Sequence, residues 1–334
     1  MSEISSFIEA MPKAELHVHL EGTLEPELKF QLAARNGLDL PYRSATEMRA
    51  AYAFDDLPSF LAMYYEGMSV LRTEADFYDL AMAYYRKACS QNVVYAETFF
   101  DPQAHTTRGI AFGTFISGFR RAQQDAAELG LRSQLIMCFL RDMTAGSAMT
   151  TLEQSLAYRD LIVGVGLDSD EKGNPPVKFK DVFDRARREG YRLTMHCDVD
   201  QEDSVAHIWQ CLNDIGVERV DHGVNCLEDE ALVAGLAASG VGLTACPISN
   251  SYVSDGLKAH QIKTMLDRSL RVTVNSDDPA YFPGYVNENL AALAAAGLTR
   301  QHLLQLQRNA FTIAWTADEQ RTAYLTDLEA YAAR

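Results

Sequence analysis

The chain has 334 residues, of which 47% are hydrophobic and 23% are charged, and its formal net charge at pH 7 is −16. This composition is typical of a globular protein with a sizeable core. The acidic charge argues against nucleic acid or an anionic membrane as the main partner, so we expect a small neutral ligand. The possibility of a homo-oligomer stays open.

Targeting and redox signals are weak. No apolar run reaches the roughly 18 residues that span a bilayer, and the N-terminal residues 1–13 include acidic side chains and no hydrophobic signal region. The six cysteines have no paired spacing, which favours buried free thiols over a disulfide framework. We therefore expect a cytoplasmic protein.

Short β-type runs alternate with longer helical stretches along the chain. The predicted strands are Ala14–Leu20, Val93–Phe99, Gln134–Leu140, Ile162–Leu167, Arg192–Cys197, Arg219–His222, Val241–Cys246 and Val272–Ser276. The predicted helices are Glu74–Ser90, Phe112–Leu129, Leu152–Leu161, Lys178–Glu189, Ser204–Ile215, Asp229–Ala238 and Ala259–Asp267. Helical crossovers between strands imply a parallel sheet, and eight such units predict an α/β fold of the (β/α)8 TIM-barrel type.

We expect one domain over residues 1–334, with an insertion at 36–72 after the first strand and extra helices after Leu298. The alternative is a doubly wound open sheet, which needs a Gly-rich phosphate turn after an early strand. The first strand here is followed by Leu20-Glu-Gly, which favours the barrel.

The first strand carries two histidines on one face. His17 and His19 are two residues apart, and alternate residues of a strand point the same way. Barrel enzymes place their chemistry at the carboxyl ends of the strands. The predicted strand ends include Glu97, Asp168 and Asp221 together with the residues considered next.

His17, His19, His196 and Asp277 follow one another at these strand ends and form a candidate set of ligands for one zinc ion per chain. A zinc-bound water has a pKa of about 7, so hydroxide would be available at neutral pH. His222 would lie beside it as a proton acceptor or orienting group. Each residue alone has a structural alternative, such as core packing or a turn at Asp277. Their common position at strand ends favours the metal site.

Three segments resemble the signatures of the adenosine/adenine deaminase family of the amidohydrolase superfamily. They are Pro12-Lys-Ala-Glu-Leu-His-Val-His-Leu-Glu-Gly22, Val220-Asp-His-Gly223 and Asn275-Ser-Asp-Asp-Pro279. The similarity extends over nearly the whole chain. The loop Gly166–Pro176, with Phe99-Phe-Asp-Pro-Gln103, is closer to the bacterial adenine deaminase branch than to the nucleoside branch.

The resemblance implies a role for each matching residue. His17, His19, His196 and Asp277 match the zinc ligands, and His222 matches the histidine beside the metal-bound water. Asp278 matches the carboxyl group that binds purine N7. The loop that contains Gly166, Asp168 and Glu171 matches the one that approaches purine N3.

One segment departs from the family pattern. After the fifth-strand histidine the family has His-Ala-Gly-Glu, whose glutamate protonates purine N1, whereas this chain has His196-Cys-Asp-Val-Asp-Gln. Val199 stands at the glutamate position. Asp200 is our tentative replacement for the acid, Glu202 is the second choice and Asp198 the third. The alternative is that these acids are solvated or cap the following helix.

The resulting hypothesis is zinc-dependent hydrolytic deamination of a 6-aminopurine, either adenine or an N6-substituted adenine. The products would be hypoxanthine and ammonia or an amine. Adenosine deamination is the first alternative. A purine-binding homologue without activity is the second, and it is motivated by Val199.

Overall fold

Eight parallel strands form the centre of the computed structural model, which describes residues 3–54, 56–197 and 199–334. The strands are β1 Lys13–His19, β2 Val93–Phe100, β3 Arg132–Leu140, β4 Ile162–Asp168, β5 Arg192–Cys197, β6 Arg219–His222, β7 Gly242–Ala245 and β8 Arg271–Val274. They follow one another around the sheet in sequence order, and each pairs in parallel with the next. The predicted TIM barrel is confirmed.

The barrel closes where the segment after β8 meets β1. Val18 and Asp277 form a parallel bridge. The His19 amide donates to the Asp277 carbonyl at 3.0 Å, and the Asp277 amide donates to the His17 carbonyl at 3.1 Å. This closure places a late acidic residue directly beside the two histidines of the first strand.

Helices surround the barrel. They are α1 Glu3–Ala10, α2 Pro26–Arg35, α3 Ala45–Ala50, α4 Leu57–Gly67, α5 Glu74–Ser90, α6 Pro102–Thr106, α7 Phe112–Glu128, α8 Ala145–Ser155, α9 Lys180–Arg188, α10 Ser204–Trp209, α11 Glu230–Ser239, α12 Pro247–Val253, α13 Ala259–Asp267, α14 Val286–Ala295, α15 Arg300–Ile313 and α16 Asp318–Ala332. Among the described residues, no helix is both long and apolar enough to cross a membrane.

The predicted bounds of α5 and α13 agree with the structure. The predicted helix at 152–161 is wrong in its limits. Helix α8 begins earlier because the Thr144 hydroxyl accepts from the Ser147 amide, and Leu156–Leu161 forms a 3-10 turn. The second half of the predicted helix at 204–215 is a π-helical segment, Gln210–Ile215.

The insertion after β1 contains α3 and α4, and α4 covers the carboxyl end of the barrel. Asp56 and Ser59 form a capping box at the start of α4. The Phe60 and Tyr64 rings are buried, and their centroids lie 5.6 and 5.7 Å from that of Tyr281. This helix therefore supplies one wall of the barrel mouth.

The amino end of the barrel is closed by Trp315, which lies between α15 and α16. A Cβ at Gly164 would lie 2.4 Å from the Trp315 ring, so only glycine fits under the indole. The Arg219 guanidinium stacks on this ring at 3.7 Å and pairs with the Glu97 carboxylate at 2.5 Å. The prediction that Glu97 belongs to the mouth is therefore wrong, because Glu97 lies within β2, before its carboxyl end, and pairs with Arg219.

Candidate active site

Four predicted metal ligands converge at the carboxyl end of the barrel. The Nε2 atom of His196 lies 3.1 Å from that of His17 and 3.2 Å from that of His19. The Asp277 Oδ1 atom lies 3.1 Å from His17 Nε2 and 3.4 Å from His19 Nε2. All four side chains are buried and present atoms within 4.8 Å of one another.

The second nitrogen of each ring fixes which atom points to the common centre. His196 Nδ1 lies 3.0 Å from the Leu167 carbonyl, which can only accept a hydrogen bond. His17 Nδ1 lies 2.9 Å from the Thr244 hydroxyl, and that hydroxyl donates its proton to Asp221. Both Nδ1 atoms therefore carry the proton, and both Nε2 atoms present lone pairs. Facing lone pairs cannot hydrogen-bond with each other, so this arrangement suits a shared cation.

The charge states agree with a cation site. Burial lowers the pKa of His19 to about 3 and holds that of His196 well below its usual range. Burial opposes ionisation of Asp277, but the neighbouring histidines outweigh it and hold the pKa of this carboxyl well below its usual range. Burial would also lower the pKa of His17, but Asp277 and Asp221 outweigh it and raise that pKa. A positive charge is therefore favoured here.

Two residues of this centre have unusual backbone geometry. His222 and Asp277 have φ values of +60° and +63°, in the left-handed region that non-glycine residues rarely adopt. Such strain persists only where the surrounding structure enforces it, and it is concentrated at functional sites. His222 Nε2 lies 3.8 Å from Asp277 Oδ2, which places this imidazole beside the metal-ligand cluster.

A cavity opens directly above the cluster. Its polar and charged lining residues are His19, Asp101, Asp168, Ser169, Glu171, His196, Gln201, His222, Ser249, Asp277 and Asp278. Its apolar and aromatic lining residues are Leu57, Phe60, Leu61, Tyr64, Tyr65, Val199, Val253 and Phe282. A polar floor under an apolar wall is typical of a site for a small planar ligand.

Asp278 offers a buried polar group to this cavity. Its Oδ1 atom has no hydrogen-bond partner among the described residues. A Cβ at Gly22 would lie 1.9 Å from this atom, so the glycine that ends the first motif makes room for the carboxyl group. Burial, followed by the Asp277 charge, raises the pKa of Asp278 well above its usual range.

Asp101 is a cavity residue to which the sequence analysis gave no role. It directly follows β2 and lies beside Asp168 and His19. Burial raises the pKa of Asp168 to about 7 and that of Asp101 well above its usual range, and in the latter the Asp168 charge adds to the effect. The strand-end rule that selected Asp168 also applies to Asp101, but the predicted end of β2 fell before it.

The residues predicted for the β4 loop lie in two different places. Asp168 and Glu171 line the cavity, whereas Gly166 lies inside the barrel, where a Cβ would approach Cys138 Sγ to 2.6 Å. The buried Arg141 supports the loop by donating to the Asn174 carbonyl at 2.9 Å, and its Nη1 donates to the His196 carbonyl at 2.9 Å.

The candidate acids that the structure describes do not lie in the cavity, where a proton donor to the substrate would have to be. Asp200 does not belong to the cavity lining, and its carboxylate lies 2.5 Å from Lys258 Nζ. Burial would raise the pKa of Asp200, but this ion pair and two further hydrogen bonds outweigh it and lower that pKa. Glu202 is exposed, and Asp198 lies outside the described residues. Val199 itself lines the cavity.

The fold and the site together define a TIM-barrel hydrolase of the metal-dependent type. Comparison with known proteins then places the chain within this class. The adenosine deaminase family model matches residues 12–331, and the chain belongs to that family of hydrolytic deaminases.

Individual relatives extend this result. An uncharacterized deaminase of Schizosaccharomyces pombe is 52% identical, with 99% of each chain covered. An adenine deaminase of Chlorobium phaeobacteroides is 49% identical, with 98% of each chain covered. The crystal structure of adenine deaminase from Arthrobacter aurescens matches with a TM-score of 0.94 and 42% identity, covering 97% of this chain and 100% of the other.

Proposed function

We propose that this protein catalyses the hydrolytic deamination of adenine to hypoxanthine and ammonia, with one zinc ion held by His17, His19, His196 and Asp277. The observation that carries the proposal is the convergence of three imidazole nitrogens and one carboxylate at the floor of one cavity. His222 and Asp278 line the same cavity.

The donor set fits zinc by its chemistry. Three neutral imidazoles with one carboxylate form a mixed nitrogen and oxygen set that suits a borderline divalent ion. Zinc bound there would lower the pKa of a water molecule to about 7 and so supply hydroxide at neutral pH.

His222 is proposed to move the proton. Its Nε2 faces the metal-ligand cluster, 3.8 Å from Asp277 Oδ2, so it can accept a proton from the attacking water and return it to the departing N6 nitrogen. The left-handed backbone at this residue holds the imidazole toward the cavity.

Asp278 and the β4 loop are proposed to orient the ring. The carboxyl group of Asp278, which lines the cavity, is proposed to hydrogen-bond purine N7. Asp168 and Glu171 line the side of the cavity next to the β4 loop, which is proposed to approach N3. Gly166 would act only indirectly, through the close packing of β3 against β4. Phe60 and Phe282 supply apolar surface for the purine faces.

The relatives favour the free base. Two of the three similar proteins described above are named adenine deaminases, and both match over nearly the full length of this chain. Adenosine and N6-substituted adenines remain the competing substrates, because Val199 replaces the acid expected from the family pattern.

The test is an assay of released ammonia or amine with adenine, adenosine and N6-methyladenine, using zinc-loaded protein. We expect the highest kcat/KM with adenine. A higher value with adenosine would shift the proposal to the nucleoside. Tight purine binding without turnover of any of the three would identify a binding protein instead.

A further inference from the structure

Asp200 lies at the junction of three loops. Its Oδ2 atom accepts from Lys258 Nζ at 2.5 Å and from the Asp255 amide at 3.3 Å. Its Oδ1 atom accepts from the Asn225 side-chain amide at 3.2 Å, and its own backbone amide donates to Asn225 Oδ1 at 3.0 Å. These contacts join the loops that follow β5, β6 and β7.

The geometry of this junction is strained and partly buried. Asp200 and Lys258 have φ values of +59° and +54°, both in the left-handed region. The side chain of Lys258 is only 7% exposed, so its charge is largely withdrawn from solvent beside its carboxylate partner. Strained residues persist where contacts enforce them, and here those contacts converge on one carboxylate.

The loop held by this junction contributes two neighbours of Asp200 to the cavity. Val199 and Gln201, which precede and follow Asp200 in the chain, both line the cavity. Val199 can offer only apolar contact. The side-chain amide of Gln201 makes no hydrogen bond to another described residue, so it is available to a ligand in the cavity.

We propose that Asp200 is a positioning residue whose ion pair with Lys258 holds the β5 loop so that the Gln201 amide contacts the purine substrate. This inference rests on the proposed function. The amide provides one donor and one acceptor for the ring edge, in a loop where the family pattern has a glutamate. An amide cannot transfer a proton, so Gln201 contributes to binding and orientation.

The role as a positioning residue and the role as a proton donor predict different kinetics. A proton donor acts in the transition state, so its removal lowers kcat and changes the pH profile. A residue that holds a binding contact acts mainly on KM. Substitution of Lys258 should change KM as substitution of Asp200 does only if the ion pair between them holds the loop.

The experiment compares Asp200→Asn, Lys258→Met and the double variant with the wild type. Asparagine tolerates the left-handed backbone, so the first change removes the charge and leaves the turn. We expect each single variant to raise KM about 10-fold, as for loss of a hydrogen bond to a charged group. The double variant should be no worse than the worse single variant, and the pH profile should keep its shape.

Gln201→Leu should reproduce this rise in KM, because it removes the amide and leaves the ion pair. Asp203→Asn is the matched control, since Asp203 is exposed and its side chain caps no helix. A loss of about 100-fold in kcat for Asp200→Asn, with a normal Lys258→Met, would overturn the proposal and assign Asp200 as the acid. Unchanged kinetics in all three single variants would also overturn it.

Hydrogen exchange of the amides at 199–204 in the substrate-free protein provides a readout that does not need turnover. We expect at least about 10-fold faster exchange in Asp200→Asn and Lys258→Met and no change in Asp203→Asn. If the wild type deaminates no purine, the proposed function fails. Unchanged exchange in the first two variants would contradict the ion-pair part of the inference by itself.

Discussion

Buried acidic residues have different neighbours at the two ends of the barrel. At the amino end, the Glu97 carboxylate pairs with Arg219, whose guanidinium stacks on Trp315. At the carboxyl end, Asp101 and Asp278 are also buried, but among the described residues they form no ion pair and lie next to other carboxyl groups.

This difference separates structural from functional burial. A buried charge with a matched partner helps to fix the fold, whereas an unpaired buried carboxyl group opposes folding. The raised pKa values of Asp101 and Asp278 have burial as their main cause. Such groups are retained where a ligand completes their hydrogen bonds. The carboxyl groups at this end therefore lower the stability of the fold but serve substrate binding and catalysis.

The largest effect is expected at the amino end. Arg219→Met leaves the Glu97 carboxylate buried without its partner, and we expect the free energy of unfolding to fall by about 3–5 kcal/mol. Urea unfolding followed by circular dichroism measures this change. The double variant Glu97→Gln/Arg219→Met should be more stable than Arg219→Met alone, because no unpaired charge remains. Equal stability of the two variants would argue against the ion pair as the cause.

A substitution at the carboxyl end should lower activity without lowering stability. Asp278→Ala removes the proposed hydrogen bond to purine N7, and we expect kcat/KM for adenine to fall roughly 10- to 100-fold. The free energy of unfolding should not fall, because an unpaired buried group is lost. Asp278→Asn should retain part of the activity, since its amide can donate to N7. A large loss of stability with unchanged kinetics would give Asp278 the structural role of Glu97.

A smaller effect is expected from Lys29, a buried cation near the wall of the mouth. Its Nζ lies 3.1 Å from the hydroxyl groups of Tyr52 and Tyr281. Burial lowers its pKa to about 8, although the Glu66 charge acts in the opposite direction. The unfolded state therefore binds more protons between about pH 8 and the ordinary lysine value, so stability should rise with pH over this range.

The measurement compares wild type with Lys29→Met in urea at several pH values. From pH 7 to pH 9.5 the wild type should gain about 2 kcal/mol relative to the variant. A stability difference that does not change with pH would mean that Lys29 titrates as in the unfolded chain.

Much of the barrel was predictable because its signals are local. The alternation of strands and helices predicts the fold, and the bounds of α5 and α13 follow from apolar spacing, with a capping box of Thr73 and Asp76 at the start of α5. His17 and His19 could be assigned to one face because strand periodicity is a local property. Their common position at strand ends then links them to His196 and Asp277.

The features that the sequence did not predict depend on contacts between residues that are far apart in the chain. Whether Glu97 faces the mouth or the amino end depends on the length of β2 and on Arg219, which lies more than a hundred residues later. Asp200 was considered as an acid from its position in the chain, but its partners, Lys258 and Asn225, come from other loops. The wall formed by α4 also could not be predicted, because the insertion has no motif that fixes where it packs.

The most direct test is the metal content of the purified protein. After saturation with zinc and removal of the excess, the wild type should retain about one zinc per chain by plasma mass spectrometry. His196→Ala and Asp277→Ala should lose most of it while keeping the circular dichroism spectrum of the fold. Full zinc retention in both variants, or undiminished adenine turnover by metal-stripped wild type, would contradict the account.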